Sequence, residues 1–169
     1  QQTSRRGVMM HPYFISAITA EAGFSPFQIG VRLKESILCE RVPTPPPDAE
    51  SLANQDPPAG LSFTGALRYR TDAGPSCLGC HALFNEVGFS HAPFDPHGRW
   101  IQNDPTGQPW ELAGSVATFG GEVISFNSAA DIYDQFAVDP QVRGCFAQAA
   151  MEWALGRALV TRDISLARR

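Results

Sequence analysis

Lysine is almost missing from this chain: of 13 basic residues only Lys34 is a lysine, while Asp and Glu total 17, for a formal net charge of −4. The arginines form no basic patch along the sequence, which excludes a nucleic-acid binder. Charge of either sign is scarce at 18%, against 43% hydrophobic residues, so neither wholesale disorder nor a coiled coil fits. No apolar run approaches the roughly 20 residues of a membrane span. The opening Gln1-Gln2-Thr3-Ser4-Arg5-Arg6 lacks the apolar stretch of a signal peptide. The expectation is a mature product or the tail end of something longer.

Chain punctuation, by contrast, is plentiful. Gly 15 and Pro 14 in 169 residues are too many for a helical bundle with short turns. One domain over 1–169 is expected, its helices joined by long ordered loops. Its core should be small for its length, so that something besides apolar burial helps to hold it.

The cysteines point to what that is. Cys77-Leu78-Gly79-Cys80-His81 is the C-x-x-C-H pattern of c-type haem attachment. On a helical turn, two thiols three residues apart reach the two vinyl groups of one porphyrin, and the adjacent imidazole meets the iron. Cys77 and Cys80 are thus the attachment sites and His81 the proximal ligand of one covalent haem c. Other readings fit less well. A zinc ribbon needs a second C-x-x-C, and a thioredoxin-like pair needs a βαβ setting, both absent here. A plain disulfide or two buried thiols is the bland alternative. Covalent haem is attached outside the cytoplasm, which places the protein in the periplasm or beyond. In that oxidising setting the remaining pair, Cys39 and Cys145, is expected to form a disulfide. The alternative is two separate buried thiols.

Periodicity and breakers place these residues on a mainly α chain. A short helix follows His11-Pro12 and ends near Gly23, and Ser25-Pro26 opens a second with Ile29, Leu33, Ile37 and Leu38 on one face. The Pro43–Pro47 tract must be extended. A helix near Ser62–Thr71 precedes the Gly74-Pro75 break, after which the C-x-x-C-H helix starts. Gly88 to Gly98 reads as a loop. Arg99–Gln102 and Gln108–Leu112 read as a small β-hairpin. Ser128 caps a helix through about Ala137, and Asp139-Pro140 opens the longest one. Its stripe of Val142, Cys145, Phe146, Ala149 and Trp153 reads as core, part of it available to wall a haem.

Arg6-Gly7-Val8-Met9, Ser25-Pro26, Leu38-Cys39 before the proline tract, Cys77–His81, Val87-Gly88-Phe89, Phe94-Asp95 and Gly98-Arg99-Trp100 occur in an order that resembles one family. So do Val142–Phe146 and Trp153–Arg157. It is the planctomycete-type cytochrome c domain family, found as C-terminal modules of large secreted bacterial proteins. The resemblance implies a mono-haem c domain with a cytochrome c-like set of helices, in or beyond the periplasm. His91, Pro93 and His97 depart from it, standing where apolar or acidic residues are more usual.

The sixth iron ligand has several candidates: Met9, Met10, His11, His91, His97 and Met151. His11 leads, because Met9-Met10-His11 clusters three ligand types before a helix; Met9 or Met10 comes next, then an open site. The bland reading of His11 is a cap before Pro12. Met151 follows the last helix's core pattern, and His91 and His97 read as solvated loop histidines. Arg99 and Trp100 suit haem propionates, with a solvated Arg beside a half-buried Trp as the equal alternative. Arg157 could do the same from the end of the last helix, with a solvated helix-end arginine as the safer reading. Three functions follow. The first is electron transfer by one fully ligated haem, between a fused or associated module and an extracytoplasmic redox partner. The second is a peroxidase-like haem enzyme with an open sixth position, with His11 and Arg5 or Arg6 as distal groups. A haem that merely completes a structural core is the third and blandest.

Overall fold

The structure, a computed structural model, describes residues 5–20, 25–47, 49, 56–72, 74–117, 121–160 and 163–165. After a 3-10 turn, Val8–Met10, come helices α1 (Pro12–Ala20), α2 (Pro26–Ile37), α3 (Phe63–Thr71), α4 (Pro75–His81) and α5 (Asn85–His91). Strands β1 (Gly114–Ala117) and β2 (Val123–Phe126) follow, then α6 (Ala129–Phe136) and α7 (Pro140–Leu155). The architecture is mainly α with one small antiparallel hairpin, as the sequence suggested.

Local chemistry starts and stops these helices. Proline stands in the first turn of α2, α4 and α7, where its missing N–H costs nothing. Ser62, Ser128 and Asp139 cap α3, α6 and α7 by accepting backbone N–H groups with their side chains. Ser25 precedes α2 without making such a bond. α7 ends on Gly156 in the left-handed region, φ 61°.

The core is centred on the crossing of α2 and α5. Gly30 and Gly88 meet there so closely that a Cβ on Gly30 would fall 2.2 Å from the Phe84 carbonyl oxygen, and one on Gly88 2.0 Å from that of Pro26. The two backbones touch, which only glycine permits. Ile29, Leu33, Ile37 and Leu38 then pack with Val87 and Phe94, joined by Ile15 from α1 and by Ile132, Tyr133 and Phe136 from α6. Val116, Ile124 and Phe126 supply the inward face of the hairpin, whose alternation of buried and exposed residues follows the strand period of two. The single lysine is not on the surface: Lys34 is buried, ion-paired with Glu40, and donates to the Ala117 carbonyl at 2.9 Å.

Cys39 and Cys145 form the expected disulfide, tying the end of α2 to α7. Gln141 strengthens that joint by donating to the Leu38 carbonyl at 2.8 Å and to Glu40 at 3.0 Å.

Three expectations are corrected. The strand pairing lies at 114–126 rather than at 99–112. There, the Asp104 carboxylate collects the N–H groups of Thr106, Gln108 and Phe63, winding 103–109 into a turn, and only isolated bridges, Phe94–Trp100 and Asn103–Pro109, remain. Of the segment Gly88 to Gly98, the first four residues, Gly88–His91, are not loop but the second half of α5, because Gly88 is there for close approach rather than for a turn; 92–98 is loop as expected. Third, the apolar stripe of α7 is not all core. Val142 and Cys145 are buried, whereas Ala149 is exposed, Phe146 is 72% exposed and Trp153 88%, since only the first turns of α7 lie on the body.

Candidate haem-attachment site

α4 carries Cys77, Cys80 and His81. The thiols stand three apart, hence on one helical face, and both are unpaired and half-buried. His81 is the last residue of the helix and is also half-buried. Two rings fix its walls: Phe27 of α2 meets it edge-on with centroids 4.9 Å apart, and Phe84 lies at 5.0 Å. Its Nδ1 lies 2.9 Å from Asn85 Oδ1. Asn85 Nδ2 in turn donates to Thr71 Oγ1 at 2.9 Å, and that hydroxyl reaches the Leu67 and Arg68 carbonyls at 3.2 and 3.1 Å. His81 Nε2 has no hydrogen-bond partner among the described residues.

One residue further on, Glu86 binds Arg68 through two bonds of 2.9 and 2.7 Å, and Arg68 also donates to Glu111 at 2.9 Å. The Glu86 hydrogen bond holds the Arg68 pKa above its ordinary value against the opposing effect of burial. The Arg68 guanidinium also lies 5.0 Å above the Phe89 ring. α3 is therefore clamped to the start of α5 by two side-chain pairs, Thr71–Asn85 and Arg68–Glu86.

The other expected site residues gather around the opposite end of α5. His11 is exposed, and its Nδ1 accepts the Tyr13 N–H at 3.2 Å, which is the capping role. Met10 is buried, its sulfur 3.3 Å from the Arg6 N–H; Met9 is half-buried against the core. Gly98 abuts the Pro12 backbone and accepts from Arg5. Arg99, with a 75% exposed side chain, pairs with Asp95 at 2.7 Å, and Trp100 packs on Phe94 with centroids 5.3 Å apart. Burial works to raise the Asp95 carboxyl pKa, but hydrogen bonds from Arg99 and the His97 N–H outweigh it and hold it below the ordinary value. No hydrogen bond, ion pair or ring contact among the described residues joins this group to Cys77, Cys80 and His81.

His91 is a further correction. It is fully buried at the end of α5, with Nδ1 2.8 Å from the Val87 carbonyl and Nε2 2.7 Å from the Tyr133 hydroxyl. Both ring nitrogens are occupied, so it is neither solvated nor free to ligate. His97 is exposed as expected.

Residues 5–104, more than half the chain, match PSCyt3, a planctomycete cytochrome c-type family described as protein of unknown function (DUF1588). The chain belongs to this family. The PSCyt3 match spans α4 and everything that surrounds His81 through Asp104, including Thr71, Asn85 and Arg68. The likeness at Val142–Phe146 and Trp153–Arg157 lies beyond it. Neither curated proteins nor solved structures give a match.

Sequence reasoning missed Asn85, Thr71, Phe27 and Arg68. Asn85 carried a signal, standing four residues after a proposed ligand at helical spacing. Thr71, Phe27 and Arg68 carried none, since they reach His81 and its neighbours only through the fold. The arrangement, two free thiols on one face beside an imidazole with one committed and one uncommitted nitrogen, fits the donor set of a covalently attached haem.

Proposed function

We propose that this chain is a mono-haem c domain that transfers single electrons outside the cytoplasm. The observation that carries it is the C-x-x-C-H helix with both thiols unpaired and His81 Nε2 uncommitted, within a cytochrome c-type family. Bound haem would supply the one-electron couple. Cys77 and Cys80 hold it by thioethers, and His81 offers Nε2 to the iron while Phe27 and Phe84 wall the imidazole. The Cys39–Cys145 disulfide supports an oxidising compartment. No helix among the described residues is long and apolar enough to cross a membrane. Electrons pass to or from a redox partner, and the net charge of −4 favours a basic one.

His11 as sixth ligand, and Arg99 and Trp100 on the propionates, would require the Gly98 turn to come to α4. Their placement at the other end of α5 favours a second reading, in which the sixth position takes an exogenous ligand and the protein is a haem enzyme.

Optical spectra of protein matured with haem c, oxidised and reduced, with and without carbon monoxide, test both. Haem that stays with the denatured polypeptide, and is lost from it in Cys77→Ser/Cys80→Ser, is expected. A low-spin spectrum indifferent to carbon monoxide supports electron transfer; rapid carbon monoxide binding moves the enzyme to the front. Absence of covalent haem would overturn both.

A further inference from the structure

His81 closes α4 and Asn85 opens α5, with one turn between them, so the aim of the imidazole depends on what fixes the start of α5. Asn85 is buried, 5% exposed, and its amide is held at both ends. The Leu67 and Arg68 carbonyls can only accept, so the Thr71 proton is spent on them, and Thr71 Oγ1 is left to accept from Asn85 Nδ2. The amide is thereby oriented, and Oδ1 faces His81 Nδ1 at 2.9 Å. An amide oxygen only accepts, so Nδ1 carries the proton and donates it. Nε2 is the nitrogen left with a lone pair, directed away from Asn85.

We propose that Asn85, itself oriented by Thr71, is the positioning residue that fixes the tautomer and direction of His81 and sets the electron richness of the iron it would hold. The inference rests on the haem reading above. A neutral amide acceptor strengthens the imidazole's donation less than a carboxylate would, and more than no acceptor at all. The native potential should therefore lie between those of two variants that change this one contact in opposite senses.

The test compares haem content, far-UV circular dichroism and midpoint reduction potential in the wild type, Asn85→Asp, Asn85→Leu, Thr71→Val and Thr71→Ser. Expected are a downward shift in Asn85→Asp, where negative charge stabilises the oxidised iron, and an upward shift in Asn85→Leu. Thr71→Val, which removes the hydroxyl but keeps the shape, should shift upward by less, and Thr71→Ser should match the wild type. Shifts of opposite sign are a signature that mere loosening of the fold would not produce. Should either Asn85 variant fail to fold, the Thr71 pair decides alone. Equal potentials throughout, or shifts of one sign in both Asn85 variants, would overturn the proposal while leaving the haem reading intact. A wild type without covalent haem would overturn both, and is recognised separately by its spectrum.

Discussion

Acid should destabilise this protein through a histidine that does not contact His81. His91 is fully buried, with its two ring nitrogens engaged by the Val87 carbonyl and the Tyr133 hydroxyl. Burial pushes its pKa from 6.5 down to about 4, against the opposing effect of the hydrogen bond to the Val87 carbonyl. Burial likewise pushes the Tyr133 pKa up, so the hydroxyl stays neutral beside it. A depressed histidine pKa means that the fold holds the neutral ring. The stability this contributes is complete above pH 6.5 and is lost as pH falls toward 4. Each pH step of one between those two values removes a little over 1 kcal/mol, so the loss between pH 8 and pH 4.5 is about 2–3 kcal/mol. The Asp95 and Asp104 carboxyls, each held below the ordinary 3.8, contribute above that value and are lost at lower pH, below the His91 window. Urea unfolding at both pH values, in the wild type and in His91→Gln, isolates it: the wild type should lose about 2–3 kcal/mol, and the variant none of that portion. An equal loss in both proteins, or a His91 ring that titrates near 6.5 by NMR, would refute the reasoning.

Two other perturbations follow from the fold. Gly88→Ala places a Cβ 2.0 Å from the Pro26 carbonyl oxygen and must force α2 and α5 apart, a loss of about 3 kcal/mol in thermal melts. Gly79→Ala, where a Cβ meets nothing within 4 Å, should leave the melting temperature unchanged or slightly raised. Replacing Cys39 and Cys145 together by serine releases a loop with a sequence separation of 106, worth roughly 4–5 kcal/mol in the chain-entropy account, which a drop in the urea midpoint would register. A loss under about 1 kcal/mol would show that Gln141 and Val142 hold α7 without the bond.

Much of this molecule follows from its sequence. C-x-x-C-H is readable because its chemistry is confined to five consecutive residues. The starts of α2, α4, α6 and α7 are readable because caps and first-turn prolines act over three or four positions. The Cys39–Cys145 pair is legible by elimination, once the other two cysteines have a use. What the tertiary structure alone decided is everything that depends on contacts distant along the chain. Gly88 reads locally as a turn, and only its approach to Pro26 makes it a helix-crossing residue. The stripe of α7 has the period of a buried face, but a period cannot say whether another element lies against it, and Phe146 and Trp153 stay exposed. His91 reads as solvated among prolines and is the most enclosed histidine because α6 brings Tyr133 to it. The setting of His81 has the same origin: Thr71 and Phe27 lie 10 and 54 residues away in sequence, and hydrogen bonds and ring contacts act over ångströms, not over sequence separation.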